Sequence, residues 1–305
     1  MAACSALLAV AAGCGGQDYD ALAKQLVVPA DLPGQFLLAV AGTEEELIEH
    51  GRIQAHRRVE AGDGVEIDVW VLKSRLIDAE DADRRITRGT IVALHPLLTS
   101  KAWFLDFGEA LADRGWDVVL PDLRAHGRSG GEYITWGAKE KHDVRAVVDE
   151  LLAEGAVSDR LFVCGASMGG MVAVQYAAVE PRCRGVLAVA PPRDAREICR
   201  RILLLESEAD FAEALRRAST LADFEPDEAD TVAAAAELDC PLMVVHGIWD
   251  FIVPFDHSAA VHDAAPGPKR FIPLIGAGHA SEMGRDEWLA TQVGTLSEMA
   301  RATGR

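Results

Sequence analysis

The sequence predicts a doubly wound α/β fold built on a mostly parallel sheet, and two observations favour this class. Short apolar runs of strand length alternate with segments of helical pattern, an order typical of a sheet that carries helices on both faces. The later runs are mostly continuous in apolar residues rather than alternating, as strands buried on both faces are. These runs lie at 90–95, 116–121, 160–164, 184–190, 241–246 and 270–275.

The elements before and between these strands can be justified in order. Two extended runs at 52–60 and 64–73 are separated by Gly62-Asp63-Gly64, which indicates a hairpin. Helices are expected after the next strands, at about 101–114, 137–154 and 168–180. The second of them has an apolar stripe at helical spacing, formed by Val144, Val147, Val148, Leu151 and Leu152.

One segment interrupts the alternation of strands and helices. Between the strand that ends near Ala190 and the strand that follows Cys240 there is only helical pattern, at 196–205, 208–221 and 227–238. We therefore expect a small helical insertion at about 192–239. An ordinary crossover that carries extra helices is the alternative.

A G-x-S-x-G motif, Gly165-Ala166-Ser167-Met168-Gly169, lies between a predicted strand and a predicted helix. Strand, sharp turn and helix form the context of a nucleophile elbow, in which the serine hydroxyl is exposed at the turn. Gly165 and Gly169 keep neighbouring side chains off that turn. The helix that begins after the serine directs free backbone N–H groups at any anion formed there.

Asp250 and His279 each follow a later predicted strand, Asp250 after 241–246 and His279 within Gly276-Ala277-Gly278-His279. A serine hydroxyl is a weak nucleophile at neutral pH, and a nearby imidazole can accept its proton. A carboxylate behind the imidazole fixes its tautomer. Asp256 is a rival for the acid, but it suits the N-cap of a predicted helix over 256–265, a position that Asp favours.

The chain order Ser167, Asp250, His279 resembles that of the serine α/β-hydrolases of the esterase, lipase and serine-aminopeptidase kind, over roughly residues 53–300. The resemblance implies an α/β-hydrolase fold with a helical cap over the site. It implies a hydrolase that cleaves a carboxylic ester or related acyl bond of a small molecule through an acyl-enzyme, with no cofactor and no metal. An amidase or peptidase, or an inactive binding or scaffold protein with the same fold, are the alternatives.

The same resemblance implies an oxyanion hole made of two backbone N–H groups. One is that of Met168, after the nucleophile, and the other is that of Leu97, in the loop after the strand at 90–95. Relatives often carry His-Gly where this chain has His95-Pro96. Proline has no N–H to donate, so the departure stiffens the loop and leaves Leu97 as the donor. His95 and Trp249 are expected to shape the site rather than react.

The segment Asp122-Leu123-Arg124-Ala125-His126-Gly127-Arg128-Ser129 resembles a turn-forming segment of the same family, with Ala125 in place of a glycine. A second Ser/His/Asp set could be drawn from Ser129, His126 and Asp122. These three residues crowd one loop, so we interpret the segment as a rigid turn beside the site.

Charge and hydropathy argue against a nucleic-acid partner and against a membrane-spanning helix. The formal net charge is −18 and the isoelectric point is near 4.9, which disfavours nucleic acid because phosphate contacts need basic patches. No apolar stretch approaches the length of a membrane-spanning helix.

The N-terminus predicts a lipid anchor. Residues 2–13 are small and apolar, and Ala11-Ala12-Gly13-Cys14 resembles a bacterial lipoprotein signal in which Cys14 is lipidated. The positive n-region is missing, since no Lys or Arg precedes Lys24. We expect a signal and tether over 1–20, one domain over 21–305, and location in the cell envelope through lipidated Cys14; a cytoplasmic protein is the alternative.

Cys14→Ser tests the predicted anchor. In a bacterial host the unaltered protein should appear in the membrane fraction with Cys14 as its first residue, whereas Cys14→Ser should stay unprocessed because the lipidated thiol is lost. Cys4→Ser is the matched control and should be processed normally. An intact, unmodified Met1 terminus in the native organism, seen by mass spectrometry, would reject the prediction.

Overall fold

The computed structural model of the protein describes residues 18–30, 32–82, 84–205, 207–279 and 285–304. Cys14 and residues 1–17 of the predicted signal lie outside the described residues. From residue 55 onward, the described residues form strands that alternate with helical segments, as the apolar pattern predicts.

One mixed sheet organises the described residues. Its strands are β1 (Ala55–Glu60), β2 (Glu66–Leu72), β3 (Thr90–Leu94), β4 (Asp117–Pro121), β5 (Leu161–Ala166), β6 (Cys183–Val189), β7 (Leu242–Gly247) and β8 (Lys269–Leu274). Their order across the sheet is β1-β2-β4-β3-β5-β6-β7-β8. β1 and β2 are antiparallel, β2 and β4 are antiparallel, and all later neighbours are parallel. The predicted mostly parallel sheet is confirmed, with strand ends that differ by a few residues.

Helices cover both faces of this sheet. They are α1 (Tyr19–Val27), α2 (Leu32–Ala41), α3 (Glu44–Glu49), α4 (Leu105–Asp113), α5 (Glu140–Ala153), α6 (Met168–Val179), α7 (Ala195–Leu203), α8 (Glu208–Ala222), α9 (Thr231–Ala236), α10 (Phe255–Ala264) and α11 (Asp286–Ala302). Among the described residues, none of these helices has the length and hydropathy needed to cross a membrane.

Two apolar cores lie against the two faces of the sheet, which explains the continuously apolar strands. In β3, Val92 belongs to one core, while Ile91 and Ala93 belong to the other, because successive side chains of a strand point to opposite faces. The first core takes apolar residues from α1, α5, α6 and α10. The second takes them from α2, α3, α4 and α11.

The three N-terminal helices have no counterpart in the predicted elements. α1 packs on α8, where the hydroxyl of Tyr19 donates to Asp210 at 2.6 Å. The indole N–H of Trp136 donates to the carbonyl of Leu26 at 3.0 Å. The sequence did contain a signal for the start of α3. Thr43 and Glu46 have the spacing of a capping box, and the structure shows that box.

The segment between β6 and β7 carries α7, α8, a 3-10 turn at Pro226–Ala229 and α9. These elements correspond to the helices expected within the cap insertion (192–239). Arg201 of α7 donates to the carbonyls of Phe251 and Ile252, each at 3.0 Å. The helical segment between β6 and β7 therefore contacts the loop that follows β7.

Candidate active site

Ser167 lies in the sharp turn between β5 and α6, at the carboxyl end of the sheet. Its backbone has φ 53° and ψ −119°, a strained conformation that costs a residue with a side chain on the order of 1–3 kcal/mol. The N–H of Ser167 donates to the carbonyl of Val189 at 2.8 Å. This hydrogen bond ties the turn to the neighbouring strand β6.

Gly165 and Gly169 allow the turn to pack against the sheet. A Cβ on Gly169 would overlap the carbonyl oxygens of Leu94 and His95, and a Cβ on Gly165 would overlap the carbonyl oxygen of Gly169. The first turn of α6 therefore lies directly against the end of β3. Any larger residue at either glycine would push the helix away and move Ser167.

His279 joins Ser167 to Asp250. Its Nε2 lies 3.0 Å from the Ser167 Oγ, and its Nδ1 lies 2.7 Å from Oδ2 of Asp250. Because an ionised carboxylate only accepts, Nδ1 carries the proton and Nε2 is left to accept from the serine hydroxyl. Ser167, His279 and Asp250 thus have the geometry of a nucleophile, its base and the acid that orients the base.

The loops that carry the acid and the base are fastened to each other. Asp250 follows β7 and His279 follows β8, two neighbouring parallel strands. The backbone N–H of Trp249 donates to the carbonyl of Ala277 at 3.0 Å. This bond brings both loops together at the carboxyl edge of the sheet, where ligand sites of open α/β sheets lie.

The side chain of Asp250 is buried, and both of its carboxylate oxygens have polar partners. Its Oδ1 accepts from the N–H groups of Ile252 and Val253, each at 2.9 Å, and Nε2 of His246 lies 3.3 Å from its Oδ2. Burial alone would raise the pKa of this carboxyl, but hydrogen bonds from His246 and His279 outweigh burial and hold the pKa below its usual range. Asp250 therefore stays ionised at neutral and mildly acidic pH.

The backbone N–H groups of Met168 and Leu97, which were expected to bind an oxyanion, have no backbone acceptor among the described residues. Met168 is the first residue of α6, so its N–H is among those without an intrahelical acceptor. Leu97 lies in the loop after β3, the oxyanion loop (95–100), and within the described residues its N–H has no hydrogen-bond acceptor. Leu98 follows with a strained φ of 62°.

Two buried histidines hold the oxyanion loop. Nε2 of His95 accepts from the N–H of Leu123 at 2.9 Å, and Nε2 of His126 accepts from the N–H of Leu98 at 3.3 Å. Each contact needs an unprotonated Nε2. Burial, with a smaller contribution from His126, holds the pKa of His95 well below its usual range. These contacts suit the site-shaping role expected of His95.

The alternative set of Ser129, His126 and Asp122 does not form a relay. The hydroxyl of Ser129 donates to the carbonyl of Asp122 at 2.7 Å. The carboxylate of Asp122 accepts from the backbone N–H of Lys101 at 2.6 Å and from its buried ammonium at 2.5 Å. This segment fastens the end of the oxyanion loop, as a rigid turn beside the site would.

One group of described residues could offer three ligand atoms to a metal, namely Glu44, His56 and Asp68. Lys101 Nζ lies 2.6 Å from Oδ1 of Asp68, and Arg128 pairs with Glu44. Because protein cations already neutralise both carboxylates, we interpret this group as an ion-pair network on the N-terminal half of the sheet.

The expected capping role of Asp256 is wrong. α10 begins at Phe255, and Pro254 occupies the cap position. The fixed φ of proline suits the residue before a helix, so the helix starts one residue earlier than predicted. Asp256 is exposed in the first turn, where a negative charge favours the helix dipole.

Exposed apolar side chains flank the acid and the base. Trp249 is 59% exposed, and Phe251 and Ile275 are 86% and 87% exposed. Trp249 and Phe251 adjoin Asp250 in the chain, and Ile275 precedes His279. Trp249 therefore lies at the rim of the site, where it can shape the approach of a ligand.

Sequence reasoning did not foresee the hydrogen-bonding roles of two residues that hold this site, His126 and His246. Both are almost completely buried, at 1% and 0% exposure. A histidine within an apolar strand such as β7 needs buried hydrogen-bond partners, and that requirement was the available signal. The loop that carries Asp250, the acid loop (248–254), begins two residues after His246.

Comparison with known proteins finds similarity to proteins described as hydrolases and esterases. The family model described as serine aminopeptidase, S33, matches residues 85–217, less than half of the chain. The chain is 28% identical over 188 residues to the esterase YjfP of Escherichia coli strain K12, covering 57% of this chain and 73% of that protein. It is 23% identical over 252 residues to the uncharacterized protein YqkD of Bacillus subtilis, covering 78% and 81%.

A solved structure supports the same architecture. The esterase Pf2001 of Pyrococcus furiosus superposes with a TM-score of 0.64 at 21% identity, over 82% of this chain and 94% of that one. The protein has the α/β-hydrolase fold. The family match includes Ser167, Met168 and Leu97 but ends before Asp250 and His279, so the structure supplies the acid and the base.

Asp250→Asn and Asp256→Asn separate the acid from its neighbour. Asp250→Asn should lower kcat by about 10⁴-fold, because an amide in that place favours the wrong tautomer of His279. Asp256→Asn should leave kcat almost unchanged, since its side chain is exposed. Steady-state hydrolysis of an activated ester would measure both, and the reverse pattern would make Asp256 the acid.

Proposed function

We propose that this protein is a serine hydrolase that cleaves carboxylic esters through an acyl-enzyme intermediate. One observation carries the proposal, the two contacts of His279, at 3.0 Å to Ser167 and 2.7 Å to Asp250. The strained elbow and the two free backbone donors support it. The esterases among the similar proteins favour an ester as the substrate class.

The geometry suggests the course of the reaction. As Ser167 Oγ attacks the acyl carbon, Nε2 of His279 accepts its proton, and Asp250 stabilises the imidazolium that forms. The N–H groups of Met168 and Leu97 stabilise the developing oxyanion. His279 then protonates the departing alcohol. A water molecule repeats the sequence on the acyl-enzyme and releases the acid and free Ser167.

A peptide or amide bond is the second candidate for the bond that is cleaved, because the matching family is described as serine aminopeptidase. The two candidates differ in the leaving group that His279 must protonate. Parallel assays on an alkyl ester and on the anilide of the same acyl group would discriminate them. A higher kcat/KM for the anilide would favour the second candidate.

Ser167→Ala tests the nucleophile. A fluorophosphonate probe labels only an activated serine, so it should modify the unaltered protein and not the variant. Ester hydrolysis should fall by roughly 10⁶-fold in kcat, the scale that follows loss of a triad serine. Ser129→Ala is the matched control and should keep labelling. Hydrolysis retained by purified Ser167→Ala would reject the mechanism, and an unlabelled native protein would favour the scaffold alternative.

The preferred acyl chain should be short to medium. Leu97 and Leu98 flank the oxyanion position and Trp249 flanks the acid, so we expect a compact apolar acyl pocket. Such a pocket gains about 0.8 kcal/mol per buried methylene until it is full and then loses affinity by steric overlap. A series of p-nitrophenyl esters should show kcat/KM rising and then falling with chain length. A continued rise through long-chain triglycerides, with activation at a lipid interface, would contradict this.

The proposed setting is the cell envelope. Lipidated Cys14 would anchor a single α/β-hydrolase domain, with the cap insertion covering its site and a small acyl compound as its substrate. The apolar N-terminal stretch supports the anchor, and the contact between Arg201 and the acid loop supports the position of the cap insertion.

A further inference from the structure

His246 is a completely buried histidine at the end of β7 that the proposed reaction does not use. Its Nε2 lies 3.3 Å from Oδ2 of Asp250 and 3.1 Å from the carbonyl oxygen of Val253. Its Nδ1 lies 2.6 Å from Oγ of Ser258 on α10. The imidazole therefore connects the strand, the acid loop and the following helix.

The partners of His246 decide where its proton lies. Both neighbours of Nε2, the Val253 carbonyl and the Asp250 carboxylate, can only accept, so Nε2 carries a proton. Nδ1 faces a hydroxyl, which can donate to it or accept from it. In either case the single Nε2–H of His246 lies between two acceptors, the Val253 carbonyl oxygen at 3.1 Å and Oδ2 of Asp250 at 3.3 Å.

The contacts of His246 and His279 converge on one atom. Oδ1 of Asp250 is already taken by the N–H groups of Ile252 and Val253. Oδ2 receives His279 at 2.7 Å and His246 at 3.3 Å. The second histidine thus limits how the carboxylate can turn and shares the negative charge that His279 experiences.

We propose that His246 is a positioning residue of the active site, which holds Oδ2 of Asp250 in line with His279 and moderates the basicity of His279. The proposal rests on the proposed function, because it assigns His246 a role in the same reaction. The described partners of His246 are Asp250, Val253 and Ser258, and Ser167 is not among them. In this proposal His246 therefore acts on the reaction through Asp250.

Other charged groups near this cluster point elsewhere. Arg201 of α7 donates to the carbonyls of Phe251 and Ile252. His257 of α10 accepts from the backbone N–H of Arg193 at 3.5 Å, and Asp256 is exposed. His246 and His279 are therefore the titratable side chains that face the carboxylate of Asp250 among the described residues.

A matched pair of variants isolates the hydrogen bond. His246→Gln keeps an amide N–H at the distance of the imidazole Nε2, whereas His246→Met has the same length and no donor. Gln and Met are both unbranched at Cβ, as histidine is. Both side chains would replace an imidazole that packs against Phe255, with 5.4 Å between the ring centroids. His257→Met is the control, since it removes another buried histidine of the same neighbourhood that does not bind Asp250.

His246→Met should lower kcat by about 10- to 100-fold, as expected for loss of one hydrogen bond to a charged group, with KM little changed. The acid limb of kcat/KM should move to higher pH, because the carboxylate charge is no longer shared and stabilises protonated His279 more strongly. His246→Gln should recover most of kcat and return the limb towards its original position. His257→Met should leave the limb in place.

NMR titration of the His279 imidazole in the full-length protein gives the same answer without turnover. The titration midpoint should rise in His246→Met and return in His246→Gln. Equal behaviour of the two variants, a midpoint that falls, or the same shift in His257→Met would overturn the proposal. If the native protein neither reacts with fluorophosphonate nor hydrolyses esters, the proposed function fails, while the titration still decides the role of His246.

Discussion

The contact between the first turn of α6 and the end of β3 is the constraint on which the site depends. It exists only because Gly169 has no side chain at the point where the helix meets the carbonyl oxygens of Leu94 and His95. This contact holds Ser167 at a positive φ and places the N–H of Met168 beside the oxyanion loop. Ser167 and the backbone N–H of Met168 therefore lie at one tightly packed junction with the end of β3 and the loop that carries Leu97.

The remaining groups reach this junction through loops that are fastened to one another. Asp250 and His279 come from neighbouring parallel strands and are joined through the backbone of Trp249 and Ala277. The oxyanion loop is held by His95, His126 and Lys101. Function in this fold is thus built at the carboxyl edge, by hydrogen bonds between loops that are far apart in sequence.

Much of this could be predicted from the sequence. The parallel strands followed from continuous apolar runs, because strands with a core on both faces need apolar residues at every position. The positions of Ser167, Asp250 and His279 just after strand ends followed from the strand pattern together with the order of the three residue types. The N-terminal helices were not predicted; the burial of α1, for example, depends on α8 and on Trp136, far along the chain.

The supporting contacts were also beyond prediction from local pattern. Nothing near His246 in sequence reveals that its ring faces Asp250, because that contact depends on the turn of the acid loop. The bond from Leu98 to His126 joins two loops and holds a strained backbone that no propensity favours. Asp256 shows the opposite error, since a strong local preference for capping was overridden by Pro254.

The most direct test of the proposed arrangement of Ser167, His279 and Asp250 is a crystal structure of the protein after reaction with a small alkyl fluorophosphonate. We expect a covalent bond between phosphorus and Oγ of Ser167, with the phosphoryl oxygen about 2.7–3.1 Å from the backbone nitrogens of Met168 and Leu97. We also expect His279 to lie between that adduct and Asp250. An adduct on another residue, or a phosphoryl oxygen that faces away from both nitrogens, would contradict this arrangement.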